Sequence, residues 1–286
     1  MKIGVVFPQT EIGPETAPVK EYALAAEEAG YEHLLVYDHV LGAGLDNRPD
    51  FRGPYSSETQ FREVFVLFGY LAAITEKLEL VTGVVILPQR QTALVAKQAA
   101  EIDLLSEGRL RLGVGIGWND VEYTGLNENF GNRGRRSEEQ IEVLRKLFTE
   151  RVVNFGGKYH HIPEAGINPL PVQRPIPIWI GGTADPALER AGRLADGWFP
   201  QVQPGERLEH MKSVVAEGAR NADRDPESIG LEGRISIANA DPSEWKAMTD
   251  AWRETGATHL SVNTMGTTMD AAGHIDMIRR YREAIG

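Results

Sequence analysis

The chain has 286 residues, of which 42% are hydrophobic and 25% charged, as in an ordinary globular protein with a well-formed core. Its formal net charge of −11 argues against nucleic acid or an anionic membrane as the main partner, because both favour a basic surface. It contains no cysteine, which excludes disulfides, thiolate catalysis, iron–sulfur clusters and cysteine zinc sites.

Strand and helix signals alternate along the whole chain. Strands are predicted at 2–8, 33–40, 78–88, 109–117, 175–182, 196–202, 232–238 and 258–264. A helix is predicted after each strand, at 18–30, 62–76, 93–108, 137–150, 185–195, 206–221, 243–256 and 269–286. Ser137 and Gln140 suggest a capping box for the fourth helix, and Asp185 before Pro186 suggests an N-cap for the fifth.

Eight such units in one chain predict a parallel sheet covered by helices, and a (β/α)₈ TIM barrel has eight units in typically ~250 residues. The alternative is an open, doubly wound sheet. The stretch LGVGIGW (112–118) fails the G-x-G-x-x-G dinucleotide fingerprint, because Trp118 stands at the third glycine position. We therefore expect a single barrel domain over residues 1–286, with insertion loops after strand 2 (42–57) and strand 4 (151–174).

The start of the chain and its longest apolar stretch predict the cellular location of the protein. The sequence begins directly on a strand and shows no signal-peptide pattern, and its longest apolar stretch, 64–74, is too short to span a bilayer. We expect a cytoplasmic protein with a small-molecule substrate and no nucleic-acid or membrane partner. The apolar helix at 62–76 would suit a homodimer, although core packing explains it equally well. His160 and His161 are adjacent rather than four residues apart, so no metal site is predicted.

Chemistry in a TIM barrel takes place at the carboxyl ends of the strands. Asp38 and His39 end the second strand, where an imidazole could exchange a proton near neutral pH and a carboxylate could accept a hydrogen bond. The alternative is a strand-end pair bonded to loop backbone. Gly83 interrupts the third strand, which indicates either a structural bulge or close approach of a ligand, and Thr82 lies beside it.

Two glycine clusters also fall at strand ends. Gly113, Gly115 and Gly117 alternate along strand 4 and leave space either for core side chains or for a ligand over the mouth. Gly181, Gly182 and Thr183 precede the fifth helix, where free N–H groups and the helix dipole favour an anion such as a phosphate. A plain strand-to-helix loop is the alternative for this second cluster.

Several segments together resemble the luciferase-like flavin and deazaflavin oxidoreductases. They are VYDHV (36–40), VTGVVILPQR (81–90), GRLRLGVGIGW (108–118) with Glu122, RGRRSEEQIEVL (133–144) and PIPIWIGGTADPALERAGRLADGWFP (175–200). The resemblance covers most of the chain and implies a (β/α)₈ barrel that binds FMN or the deazaflavin coenzyme F420. The segments look more like the F420 branch of the family.

The resemblance assigns roles to individual residues. It places Asp38 and His39 beside the deazaflavin ring, and it implies a bulge behind the ring at Gly83–Val84, often with a non-prolyl cis peptide. Residues 115–118, namely Gly115, Ile116, Gly117 and Trp118, would line the cofactor's tail, and Gly181–Thr183 would hold its phosphate. Luciferase-type FMN sites carry an arginine where this chain has Ile116, which favours F420.

One position departs from the family pattern. F420-dependent sugar-phosphate dehydrogenases carry a proton-donating glutamate where Trp118 stands, so the resemblance makes His39 the acid/base and Glu122 the alternative. The sequence thus predicts an F420-dependent oxidoreductase that transfers a hydride between the deazaflavin C5 carbon and a small organic substrate. An FMN-dependent monooxygenase and a barrel that binds a flavin-type cofactor without catalysis are the alternatives.

Overall fold

The computed structural model describes residues 1–286, and strands and helices alternate along them as predicted. The strands are β1 Lys2–Val6, β2 His33–Val36, β3 Glu79–Thr82, β4 Val85–Ile86, β5 Leu110–Gly115, β6 Val153–Gly156, β7 His161–Ala165, β8 Ile178–Gly181, β9 Gly197–Phe199, β10 Gly230–Ser236 and β11 His259–Asn263. The helices are α1 Thr16–Glu28, α2 Val64–Ile74, α3 Thr92–Leu105, α4 Asp120–Gly125, α5 Arg133–Thr149, α6 Asp185–Leu194, α7 Glu206–Arg220, α8 Trp245–Glu254 and α9 Ala271–Ile285.

Eight strand positions form one closed barrel. The hydrogen-bonded order is β3-β2-β1-β11-β10-β9-β8-β5-β4, and β5 also pairs with β3, which closes the ring. Every pairing around the barrel is parallel. Most neighbouring helices around the barrel pack on one another, including α1 on α9, the first and the last. The predicted (β/α)₈ barrel is confirmed, and the open sheet is excluded.

The third barrel position is divided between two short strands. β3 ends at Thr82 and β4 begins at Val85, so Gly83 and Val84 leave the strand between them. The Gly83–Val84 peptide bond is cis, as the family resemblance implies. β4 pairs with the end of β5, whereas β3 pairs with its beginning, so the chain rejoins the barrel after the bulge.

Two predicted helix caps differ from the structure. Helix α5 begins at Arg133, and Ser137 and Gln140 lie inside it: Ser137 Oγ donates to the Gly134 carbonyl at 2.7 Å, and Gln140 Nε2 donates to the Leu87 carbonyl at 3.1 Å. Asp185 is the first residue of α6 rather than its N-cap, and its side chain makes no capping hydrogen bond. For Gln140, a contact from a distant part of the chain replaces the predicted capping bond.

The two insertions differ in structure. Residues 37–63, after β2, form neither strand nor α-helix, whereas the insertion after α5 carries the antiparallel β6–β7 hairpin that the sequence did not reveal. His160 lies at this hairpin, where its Nδ1 lies 2.8 Å from Glu139 Oε1 and its Nε2 lies 2.7 Å from Thr92 Oγ1. These contacts tie the hairpin to α3 and α5.

A buried polar network fills the amino-terminal half of the barrel. Glu232 Oε1 accepts hydrogen bonds from Ser261 Oγ at 2.5 Å and lies 3.1 Å from His33 Nε2, while its other oxygen pairs with Arg111. The Arg111 guanidinium also lies 4.3 Å from the centre of the Trp179 ring. Burial alone would raise the pKa of Glu232, but Arg111 and His33 lower it far below its ordinary value. The network is therefore an ion pair that closes the barrel below its mouth.

The helices pack mainly through their apolar sides against the barrel. In α2, six of the eleven residues are buried, and Val66 is 74% exposed. None of the helices combines the length and the apolar character needed to cross a membrane.

Candidate active site

A cavity of about 360 Å³ opens at the carboxyl ends of the barrel strands. Its wall contains eleven of the twelve residues predicted to contact a cofactor: Asp38, His39, Gly83, Val84, Gly115, Ile116, Gly117, Trp118, Gly181, Gly182 and Thr183. Segments from four different strand ends therefore meet at one place. Thr82, the twelfth, is fully buried below this wall, where its Oγ1 donates to the Gly113 carbonyl at 2.6 Å.

The imidazole of His39 is held by Glu122. Nδ1 of His39 lies 3.2 Å from Glu122 Oε2, and Oε1 of the same carboxylate accepts hydrogen bonds from the backbone N–H groups of Val40 (2.6 Å) and Leu41 (3.1 Å). Gln89 Nε2 also donates to Oε2, at 3.1 Å. An ionised carboxylate can only accept hydrogen bonds, so an ionised Glu122 requires a proton on Nδ1 of His39, which leaves Nε2 for a ligand.

The environment keeps Glu122 ionised. Burial alone would raise its pKa, but the hydrogen bonds from His39, Leu41 and Val40 outweigh burial and hold the pKa below its ordinary value. Glu122 is only 1% exposed and lies behind the cavity wall. This geometry suits a group that orients His39, and the alternative role of Glu122 as a proton donor stays a prediction.

Asp38 is paired inside the protein. Both of its carboxylate oxygens accept from Nη2 of Arg90, at 2.8 and 3.0 Å, and Nη1 of Arg90 donates to Glu63 Oε1 at 2.9 Å. Burial raises the pKa of Asp38, and the Arg90 guanidinium opposes that shift. Arg90 thus fixes the segment that carries His39, a role that sequence reasoning did not assign to it.

The glycines at the mouth make room for Val84. A Cβ atom at Gly115 would lie 2.6 Å from Cγ2 of Val84, and one at Gly181 would lie 3.0 Å from Cγ1. Gly83 has a different neighbour, since its Cβ would lie 2.2 Å from Cδ2 of Leu35. Val84 therefore projects between two strand ends as a platform in the cavity wall. The space that these glycines leave is thus filled by the Val84 side chain.

Gly113 has a packing role instead. A Cβ atom there would lie 1.9 Å from the carbonyl oxygen of Thr82 and 2.9 Å from the Phe199 ring. This glycine allows two strands and an aromatic side chain to meet inside the barrel. Of the three alternating glycines in and just after β5, Gly113 therefore serves packing, whereas Gly115 and Gly117 lie in the cavity wall.

Aromatic side chains surround His39. Its ring centroid lies 4.8 Å from Phe61, 5.2 Å from Tyr55 and 5.8 Å from Trp118, all in edge contacts. Tyr55 and Phe61 belong to the insertion after β2, so this insertion builds one side of the mouth. Trp118 is 42% exposed and caps the cavity from the other side.

The turn before α6 offers unpaired backbone donors. The N-cap residue, Ala184, makes no side-chain capping bond, and its carbonyl accepts from the N–H groups of Ala187 at 2.8 Å and Leu188 at 3.1 Å. Donors at the start of a helix attract anions. The carboxylate of Asp185 in the first turn would repel an anion, but it is exposed to solvent, which screens its charge. Gly182 and Thr183 at this turn can approach a phosphate through their backbone.

A family model described as luciferase-like monooxygenase matches residues 1–285. The chain belongs to this family. It is 34% identical over 237 residues to an uncharacterized protein of Mycobacterium tuberculosis, covering 80% of this chain and 81% of the relative. It is 30% identical over 245 residues to an F420-dependent glucose-6-phosphate dehydrogenase of Amycolatopsis mediterranei, covering 83% and 69%.

Relatives with another cofactor are nearly as similar. The chain is 28% identical over 258 residues to an FMNH(2)-dependent dimethylsulfone monooxygenase of Pseudomonas putida, covering 89% of this chain and 67% of the relative. Among solved structures, a monooxygenase of Streptomyces bottropensis superposes with a TM-score of 0.82 at 20% identity, covering 100% and 98% of the two chains. This luciferase-like barrel is therefore an oxidoreductase fold whose relatives use either F420 or FMN.

The residues of this luciferase-like site fit a flat, phosphate-bearing cofactor. Gly115 and Gly181 leave the space that Val84 occupies, His39 presents a free ring nitrogen, and the turn at 182–183 supplies backbone donors. No three His, Asp or Glu side chains are grouped so as to hold a metal ion. The donor set is suited to an organic cofactor and an acid/base residue.

Besides Tyr55 and Phe61, at least three further residues of the site were not identified from the sequence. Tyr37 and Arg234 line the cavity, and Arg90 stabilises it from behind. The position of Arg234 could have been recognised from the sequence. It lies two residues after Glu232 on β10, and because side chains alternate between the two faces of a strand, both point to the inner face of the barrel. Arg90 shows no such pattern, because its partner Asp38 lies 52 positions earlier.

Proposed function

We propose that this luciferase-like protein is an F420-dependent oxidoreductase that transfers a hydride between the deazaflavin C5 carbon and a small organic substrate. The observation that carries the proposal is the His39 imidazole, which faces the cavity while Glu122 holds its Nδ1 at 3.2 Å. When bound, the deazaflavin would supply or accept the hydride. The similarity to an F420-dependent relative supports this choice of cofactor.

The contribution of the protein is orientation and proton transfer. Val84, between Gly115 and Gly181, would support the ring from one face, and the turn at 182–183 would bind the phosphate. The imidazolium form of His39 would give its Nε2 proton to the substrate atom next to the carbon that receives the hydride, and the neutral ring, with its proton on Nδ1, would remove that proton in the reverse direction. Glu122 would fix the tautomer that makes Nε2 available.

The wall after β5 favours F420 over FMN. Ile116 stands where luciferase-type FMN sites carry an arginine for the phosphate, and the carbonyl of Ile116 accepts a hydrogen bond from Tyr123 Oη at 2.7 Å. Trp118 occupies the place of the glutamate found in F420-dependent sugar-phosphate dehydrogenases. We therefore do not extend the sugar-phosphate substrate of the Amycolatopsis relative to this chain.

The test is an anaerobic assay of reduced F420 with a panel of aldehydes, ketones and activated alkenes, following the absorbance of oxidised F420. We expect substrate-dependent oxidation of F420 that is lost in His39→Ala. An FMN-dependent monooxygenase would instead consume oxygen with reduced FMN and one of the same compounds, and would show no anaerobic F420 oxidation. That result would overturn the proposal.

A further inference from the structure

Arg234 introduces a positive charge into the cavity without an acidic partner. It lies on β10 and contributes to the cavity wall, where Nη1 donates to Tyr37 Oη at 2.8 Å. Its guanidinium also lies 5.7 Å from the centre of the Tyr37 ring. No ion pair in the structure includes Arg234, although its side chain is half-buried.

The acidic groups near the cavity are already paired. Asp38 accepts from Arg90 at 2.8 Å, and Glu122 accepts from His39 and two backbone N–H groups. Glu232, two residues before Arg234, is paired with Arg111 inside the barrel. Arg234 is also the one lysine or arginine in the cavity wall. The unmatched charge facing the cavity is thus positive, in a chain whose net charge is −11.

A half-buried guanidinium without a carboxylate retains several hydrogen-bond donors and has lost part of its hydration. A carboxylate of a ligand would satisfy these donors in the planar, two-bond geometry that arginine favours. Tyr37 and Tyr55, which line the same cavity, offer apolar ring surface next to that charge.

We propose that Arg234 binds the carboxylate of an anionic organic substrate, whose carbon skeleton contacts Tyr37 and Tyr55. As an assignment of the substrate, this rests on the proposed oxidoreductase function. Arg234 is bonded to Tyr37, two residues from His39, so the anion would be bound close to the group that exchanges protons. The phosphate turn at 182–183 follows β8, and β9 lies between β8 and β10 in the barrel, which favours separate sites for cofactor phosphate and substrate carboxylate.

The test is calorimetric titration of the purified protein with benzoate and with benzamide, its neutral analogue. We expect benzoate to bind the native protein about tenfold more tightly, as a charge-assisted hydrogen bond provides. Arg234→Met should abolish this preference, and Arg234→Lys, which keeps the charge, should retain part of it. Arg207→Met is the matched control, because Arg207 is an exposed arginine on α7, and it should leave the preference unchanged.

The same four proteins are then titrated with F420, followed by fluorescence. The proposal expects unchanged F420 affinity in Arg234→Met. Loss of F420 affinity, with the preference for benzoate intact, would assign Arg234 to the cofactor and overturn the proposal. Equal binding of benzoate and benzamide by the native protein would also overturn it. A preference for benzoate that depends on Arg234, in a protein that binds no F420, would support the anion site and refute the proposed function instead.

Discussion

The bond between Glu122 and His39 leads to a quantitative prediction for Glu122→Gln, which keeps the size of the side chain and removes its charge. The carboxylate accepts four hydrogen bonds, two of them from the backbone at 2.6 and 3.1 Å. A glutamine has one oxygen for these donors, and its NH₂ group must face the others. We expect the free energy of unfolding to fall by about 2–4 kcal/mol, since bonds to a charged acceptor contribute about 1.5–3 kcal/mol each.

Urea unfolding of the native protein and of Glu122→Gln measures this loss. Glu101→Gln is the control, because Glu101 is half-exposed on α3 and makes one surface ion pair with Lys97; it should change stability by about 0.5 kcal/mol or less. A double-mutant cycle with His39→Ala isolates the pair, and we expect Glu122→Gln to cost about 1–2 kcal/mol less when His39 is absent. Equal stability of Glu122→Gln and the native protein would refute the assigned geometry.

The same variant has a predicted pH dependence. Hydrogen bonds hold the pKa of Glu122 below its ordinary value in the folded protein, so the unfolded chain binds the proton more readily. The stabilisation is therefore complete above the ordinary carboxyl pKa of about 4.3 and is lost as the pH falls through the lower folded value. The stability difference between native protein and Glu122→Gln should shrink below about pH 4, and a difference that grew in acid would contradict this sign.

Further predictions concern the proton-transfer group, the platform and the barrel network. His39→Ala should lower turnover about 100-fold or more while changing F420 affinity by less than about threefold, as steady-state kinetics and titration would show; unchanged turnover would remove His39 from the chemistry. Gly115→Ala should weaken F420 binding about tenfold, because its Cβ would lie 2.6 Å from Val84, and adding Val84→Ala should restore part of the affinity, since it removes the clash but leaves a smaller support for the ring. Arg111→Met should reduce the free energy of unfolding by about 3–5 kcal/mol, since it leaves Glu232 buried without its cation. Arg111→Met combined with Glu232→Gln should be more stable than Arg111→Met alone in the same urea experiment.

The fold followed from sequence because its signals are local and repeat eight times. The strand β2, His33–Val36, is buried throughout, and such apolar runs are typical of parallel strands covered on both sides. Gly30 lies just beyond α1 with a φ of +77°, the conformation that a glycine helix stop predicts. The bulge at Gly83 was visible because a glycine interrupts an otherwise apolar, β-branched strand.

The interior contacts of the site could not be predicted in the same way. Gly115 and Gly181 were identified as glycines of the mouth, but their neighbour Val84 became apparent only when three strand ends were placed together. Likewise, Glu122 was predicted only as the alternative acid/base, and its four hydrogen-bond donors, one of them His39, became visible only in the structure. Residues 31 to 97 positions apart determine these roles, and no local pattern encodes such contacts.

The central claim is that the cavity binds F420, and a parallel titration of the purified protein with F420 and with FMN tests it most directly. Fluorescence and absorbance would follow both titrations under the same conditions. The account predicts saturable binding of F420 at micromolar concentration or below, with FMN binding much more weakly because Ile116 supplies no charge for its phosphate. Tighter binding of FMN would contradict that account of Ile116 and direct the search for a substrate to oxygen-dependent reactions.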